Sequence, residues 1–352
     1  MFILLLFFVE SISFLFFKFN IFEISHTPKL YLSKNLIPND EWWTEEKEWG
    51  AWHKPNSSTT QKKSCFNVLY KSNEIGARDD SFQINNDNDI ILIGDSFAEG
   101  YGVNAENTSQ NFIEKITKRN VLNFGISKSF GPVQYFILYE KLAKKYKHNT
   151  LVIYLLPSND FGENDYANWK GSKRYRPYYK MISENNYDTF IPDDSIKNYL
   201  SFGKKIKKKI KDSLWVSNIF INVNYKYRIY RASKKRSNKN YSAYYDTPIH
   251  QQKAVIYFLD KIIESTSANV ILVSIPRPQD FNRFISGSKL NKVYWNNYFT
   301  KKDLLNGNFK FVDLIKFPPE NNNEIFLKCD GHWSADGNLW AAKIISQYIN
   351  KN

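Results

Sequence analysis

The chain has 352 residues, 42% hydrophobic and 17% aromatic, with only 14 Gly and 12 Pro; intrinsic disorder, collagen-like and low-complexity sequence are excluded. Its 49 Lys and Arg exceed 35 Asp and Glu, a net charge of +14, and a mean hydropathy of −0.51 leaves apolar content for at most one membrane span. A chain this long can bury a full core, as one large α/β domain with insertions or as two smaller domains.

Met1 to Phe22 is apolar except for Glu10, Ser11, Ser13, Lys18 and Asn20, which predicts a single membrane anchor over residues 1–22. Glu10 would have to snorkel, pair or be protonated there. No basic stretch precedes the run and no small-residue cleavage site follows it, which argues against a removed signal peptide. Lys18, Lys29 and Lys34 follow the run, so the positive-inside rule would leave the body cytoplasmic. Residues 23–87 carry Trp42, Trp43, Trp49 and Trp52 without sustained periodicity, and read as a lead-in that wraps the body. The two cysteines, Cys65 and Cys329, are too few for a disulfide framework and lack zinc-site spacing. One bridge in an oxidising compartment and two buried thiols are both open. His26, His53, His148 and His250 have no ligand-like spacing, so neither a metal nor a cofactor is expected.

From Asn88 the pattern changes to short apolar runs: Asp89 to Gly94, Val121 to Gly125, Thr150 to Pro157, Asn269 to Pro276 and Phe309 to Leu314. Runs without polar alternation are strands buried on both faces, hence a parallel sheet. Helical spacing falls between them at Ser109 to Arg119, Pro132 to Lys147, Gln251 to Ser265 and Ser334 to Ile349, the last with Ser334 as N-cap. The alternation predicts a doubly wound α/β sandwich over residues 88–352. An insertion at 161–250 interrupts it. Between Ser201 and Asn240 stand 13 Lys and Arg against Asp212 alone, so most of the excess charge belongs to one segment. Ile206, Ile210 and Leu214 make part of it an amphipathic basic helix. Lys204 to Lys239 is therefore expected to meet an anionic membrane or glycan surface; no recognition motif accompanies it, and nucleic acid is not expected.

In an open α/β sheet, ligands sit beyond the carboxyl ends of the strands. The first predicted strand ends in Gly94-Asp95-Ser96, a turn that exposes a hydroxyl at a helix N-terminus. The second ends in Asn123-Phe124-Gly125, where backbone can approach a substrate closely, and the third in Pro157-Ser158-Asn159-Asp160, which offers a side-chain amide. Asp330-Gly331-His332-Trp333 enters the last helix. Together these supply a nucleophile, oxyanion donors and a base, the inventory of acyl transfer. Asp95, Glu99 and Trp333 read as structural neighbours of that set.

Four such blocks in this order resemble the SGNH/GDSL hydrolase superfamily, through Ser96 in GDSFAEGYGV, Gly125 in NFGISKSFG, Asn159 in LLPSND and His332 in CDGHWSADG. The resemblance implies a flavodoxin-like three-layer α/β/α sandwich with a parallel five-stranded sheet. It implies Ser96 as nucleophile, His332 as general base then acid, and an oxyanion hole from the N–H groups of Ser96 and Gly125 plus the Asn159 side chain. Where the family has Asp three residues before His, this chain has Cys329; the acid is Asp330, two before. The Asp-x-His spacing also resembles SGNH-like O-acetyltransferases that modify polysaccharides. The expectation is a membrane-anchored envelope esterase acting on an acylated glycan or lipid, with acyl transfer, or a binding module with a vestigial site, as alternatives.

Overall fold

The computed structural model describes residues 2–19, 21, 42–63, 65–82, 86–170, 175–192, 213–217, 219–220, 223, 227, 241–321 and 324–350. Helix α1 (Phe2–Lys18) opens the chain. The lead-in then forms two small antiparallel pairs, β1 (Trp43–Thr44) with β2 (Trp52–His53) and β3 (Ser58–Lys63) with β4 (Phe66–Lys71). The main body runs β5 (Ile90–Gly94), α2 (Ser96–Glu99), α3 (Ser109–Thr117), β6 (Val121–Gly125), α4 (Pro132–Lys141), β7 (Thr150–Leu155), α5 (Pro157–Glu163) and α6 (Tyr166–Trp169). A hairpin of β8 (Tyr178–Ser183) and β9 (Asn186–Phe190) follows. The chain closes with α7 (Ala243–Asp246), α8 (Ile249–Glu264), β10 (Asn269–Ser274), α9 (Pro278–Ile285), α10 (Tyr294–Leu305), β11 (Phe309–Asp313) and α11 (Ala335–Ile349).

Five strands form one parallel sheet in the order β11-β10-β7-β5-β6, which is the flavodoxin-like order with its switch point between β5 and β7. Every residue of β5, β6 and β7 is buried, as their unbroken apolar runs predict. Helices α3 and α11 pack together on one face, and α4, α8 and α10 on the other. All five strands start within a residue of expectation. Leu156 and the two prolines Pro157 and Pro276 lie beyond their strands, because a proline has no N–H for the ladder. Ser334 caps α11, its hydroxyl accepting from Gly337 N at 3.1 Å.

Two regions differ from the sequence reading. Helix α1 has 17 residues, about 25 Å at 1.5 Å per residue against a hydrocarbon core of about 30 Å, and no helix among the described residues is long and apolar enough to cross a membrane. Glu10 is instead a hydrogen-bond acceptor within the protein: its carboxylate takes Trp215 N at 2.6 Å and Val216 N at 3.1 Å, with Phe14 against the Trp215 ring at 5.7 Å. Leu4, Leu5, Phe7 and Phe8 are left exposed. Second, the lead-in is built into the body rather than wrapped around it, with Trp49, Trp52 and Ala77 in the main core. Most of the Lys204 to Lys239 segment lies outside the described residues.

Candidate active site

The site is built at the switch point. Asp95 ends the β5 turn and caps α2, Oδ1 accepting from Phe97 N at 3.0 Å. Ser96 becomes the first residue of α2, where a backbone N–H has no intrahelical acceptor. Two glycines, Gly94 and Gly125, let α2 lie against the sheet. A Cβ on Gly125 would stand 2.2 Å from Glu99 N and 2.5 Å from Ala98 C.

His332 comes from the other end of the chain. Phe326 and Trp333 form an antiparallel bridge, Leu327 N donates to His332 O at 2.8 Å and Ser334 N to Ile325 O at 2.9 Å, so residues 326–333 make a narrow hairpin-like loop. Its tip carries Asp330 and His332, whose alternate spacing puts both side chains on one side. Nδ1 of His332 lies 2.5 Å from Asp330 Oδ1, and Nε2 lies 2.7 Å from Ser96 Oγ. The two-residue spacing therefore closes a Ser–His–Asp relay. Gly331 between them lies under the Arg277 guanidinium: a Cβ there would stand 2.0 Å from Nη2 and push that side chain aside. The imidazole lies between Phe97 and Tyr101, with ring centroids at 5.0 and 4.5 Å. Trp333 is buried edge-on against Phe97 and Tyr154, the structural place expected of it.

Asn159 sits in the first turn of α5 rather than in a loop, because Pro157 starts that helix directly after β7. Its Nδ2 donates to Asp95 Oδ2 at 3.3 Å; an amide nitrogen has two hydrogens, and the second remains for a substrate oxygen. Asp160 next to it is buried, taking Leu156 N at 2.8 Å and the Tyr135 hydroxyl at 3.0 Å. Burial pushes the carboxyls of Asp95 and Asp160 above the usual range, and the proximity of the two reinforces it for Asp160. The Gly125 amide, expected as an oxyanion donor, donates here to Asn123 Oδ1 at 2.8 Å, a side chain two residues back. What Gly125 supplies is the close approach of α2. The Ser96 N–H and the second hydrogen of the Asn159 amide are the other donors at this rim.

A cavity of about 420 Å³ opens over these groups, lined by Asp95, Ser96, Asn159 and His332, with Ile126, Phe130, Arg277 and Gln279 among its walls. Burial works against ionisation of Asp330, but His332 and then Lys63 outweigh it and hold its carboxyl well below the usual range. No group of three or more His, Cys, Asp or Glu placed to hold a metal occurs among the described residues.

Sequence reasoning missed the contribution of the lead-in. Arg78 donates to Glu99 O at 2.8 Å, Gly100 O at 2.6 Å and Val103 O at 2.7 Å, a cation on the carboxyl end of α2. His53 Nε2 lies 3.5 Å from the buried Glu99 carboxylate, which also accepts from Ser127 N. Lys63 donates to the second oxygen of Asp330, and Cys65 is disulfide-bonded to Cys329. None of these has a local sequence signal, because every partner is distant along the chain.

No protein-family model and no curated protein match this chain. Among solved structures, a lipase/acylhydrolase from Enterococcus faecalis is 13% identical, aligned over 75% of this chain and 96% of its own at a TM-score of 0.40. A member of the lipolytic protein G-D-S-L family from Veillonella parvula is 11% identical over 75% of this chain and 99% of its own, at 0.39. A Corynascus thermopiles carbohydrate esterase family 2 enzyme with a carbohydrate-binding domain is 12% identical over 77% and 68%, also at 0.39. Identity and superposition this low assign neither activity nor substrate to this chain; its own site geometry has to do that.

Proposed function

We propose that the protein is a serine ester hydrolase that works through an acyl-enzyme. The observation that carries this is the continuous line from Ser96 Oγ through His332 to Asp330, at 2.7 and 2.5 Å, at the sheet's switch point and open to a cavity. Ser96 Oγ attacks the ester carbonyl while His332 Nε2 takes its proton. The Ser96 N–H and the Asn159 amide hold the negative oxygen. His332 returns the proton to the departing alcohol, and Asp330 keeps the imidazole oriented and balances its charge. Water then attacks the acyl-enzyme with His332 again as base, releasing the carboxylic acid.

The small, largely polar cavity supports a short acyl group such as acetyl, carried on a glycan or lipid alcohol. The disulfide supports an oxidising compartment, hence the cell envelope rather than the cytoplasm, and the exposed apolar residues of α1 favour contact with lipid. Arg277 and Gln279 in the cavity wall favour one second reading, in which a sugar hydroxyl replaces water and the acyl group is transferred.

A fluorophosphonate probe should label the full-length protein at Ser96, and Ser96→Ala should abolish labelling. An unlabelled parent would refute the esterase reading and leave a binding module. Release of free acetate against recovery of an acetylated sugar separates hydrolysis from transfer, and protease accessibility on intact cells reads the compartment.

A further inference from the structure

We propose that Lys63 is a positioning residue of the site, an ammonium that the lead-in hairpin delivers to the outer oxygen of Asp330 so that the carboxylate presents its inner oxygen to His332. This rests on the reading of Ser96, His332 and Asp330 as the reacting line.

Three observations converge on it. Lys63 is the last residue of β3, paired with Phe66 across the tip of the β3–β4 hairpin, and its Nζ donates to Asp330 Oδ2 while Oδ1 faces His332 Nδ1. A carboxylate gripped at both oxygens cannot rotate, and a charge-assisted bond to one side fixes the lone pair offered on the other. The hairpin is itself fixed to the acid's loop: Cys65, two residues after Lys63, is bonded to Cys329, the residue before Asp330. The contact is also partly shielded, with side-chain exposures of 29% for Lys63 and 11% for Asp330. Tyr101 completes the shield, with Lys63 Nζ 5.4 Å from its ring centroid and the tilted His332 ring 4.5 Å away, centroid to centroid. Burial works against the charge on Lys63, but Asp330 overrides it and holds the ammonium above the ordinary lysine value.

The electrostatic sign follows from which charges face the imidazole. Asp330 favours a protonated His332, and Asp95 lies close enough behind to act in the same direction. Lys63 opposes both, by sharing the charge of Asp330; Arg277, packed on Gly331 and facing Asp95, acts with Lys63. Tyr101 stays neutral, its hydroxyl pushed up by burial. Removing the ammonium leaves the charge of Asp330 unopposed beside the imidazole.

The test is the pH dependence of p-nitrophenyl acetate hydrolysis by the full chain, for the parent, Lys63→Met, Lys63→Gln and Lys63→Arg. In Lys63→Met, kcat/KM at neutral pH should fall about ten-fold, the size of one hydrogen bond to a charged group. The acidic limb should move up by on the order of half a pH unit. Lys63→Arg should restore both. Lys63→Gln should keep a donor but show the shifted limb, and it supplies the reading if the methionine variant does not fold. A lysine that serves only the stability of the hairpin would lower Tm without moving the limb, and an unmoved limb in both uncharged variants overturns the proposal. Titrating the His332 ring protons by NMR reads the same shift without turnover. A shift there between Lys63→Met and the parent, with neither labelling nor hydrolysis in the parent, would sink the esterase reading and leave standing only the placement of Asp330 by Lys63.

Discussion

Replacing Gly125 by alanine probes how the nucleophile is placed. The added Cβ would lie 2.2 Å from Glu99 N, 2.5 Å from Ala98 C and 2.7 Å from Ala98 Cβ. Two of those atoms are backbone, so no side-chain rotation relieves the clash; α2 and the end of β6 must separate by roughly 1 Å to restore ordinary contact distances. Helix α2 begins with Ser96, so the same displacement carries the hydroxyl and its amide away from Asn159 and His332. Misplacement on this scale costs on the order of 10²-fold in rate, and overpacking a tight interior costs about 1 to 3 kcal/mol, a few degrees in Tm for a chain of this size. Steady-state hydrolysis of p-nitrophenyl acetate gives kcat and calorimetry gives Tm. Both should fall in Gly125→Ala; parental values for both would refute the claim that α2 is seated through this glycine.

Asn159→Ala should lower kcat about 10²- to 10³-fold through loss of one oxyanion donor, with a smaller change in Tm than Gly125→Ala, because Asn159 is only partly buried; unchanged turnover would remove it from the oxyanion site. Cys329→Ser, or mild reduction of the parent, should lower both Tm and kcat, since the bridge joins residues 264 apart, where chain entropy alone predicts stabilisation of roughly 5 kcal/mol, and since it anchors the loop holding Asp330. Equal activity with and without reductant would contradict that link. Burial opposes ionisation of Glu99, but His53 and then Arg78 outweigh it and hold its carboxyl below the ordinary range. Its stabilisation is present above the unfolded carboxylate value of about 4.3 and is lost as pH falls through the depressed one. Glu99→Gln should therefore cost about 3 kcal/mol at neutral pH, and the gap in urea midpoints from the parent should close in acid; a gap independent of pH would refute the assignment.

What could be read from the sequence was local in kind. A strand buried on both faces is mostly apolar, and β5, β6 and β7 are, with Asn123 in β6 and Thr150 in β7 as buried polar exceptions; a strand-to-helix turn that exposes a hydroxyl needs small and capping residues, and Asp95-Ser96 supplies them. Asn159 was found at the right strand end although its helix was not foreseen, since Pro157 signals both a loop and a first helical turn. Glu10 in an apolar run calls for a partner, and the ones it has, at Trp215 and Val216, lie some 200 residues away. Strand-end glycines look alike in sequence, and the bond from the Gly125 amide to the Asn123 side chain two residues back is visible only in the fold.

The sequence by itself determined the alternation of strands and helices, and with it the candidates Ser96, Asn159 and His332, because burial and capping act on neighbours along the chain. Only the tertiary structure decided that Asp330 reaches His332 across a two-residue spacing, that Cys65 meets Cys329, and that Lys63, His53 and Arg78 from an aperiodic lead-in support the reacting groups from behind. The Lys63–Asp330 and Cys65–Cys329 pairings join charges and thiols from opposite ends of the chain. Their strength comes from low solvent exposure and fixed distance, two quantities that exist only after the chain has folded.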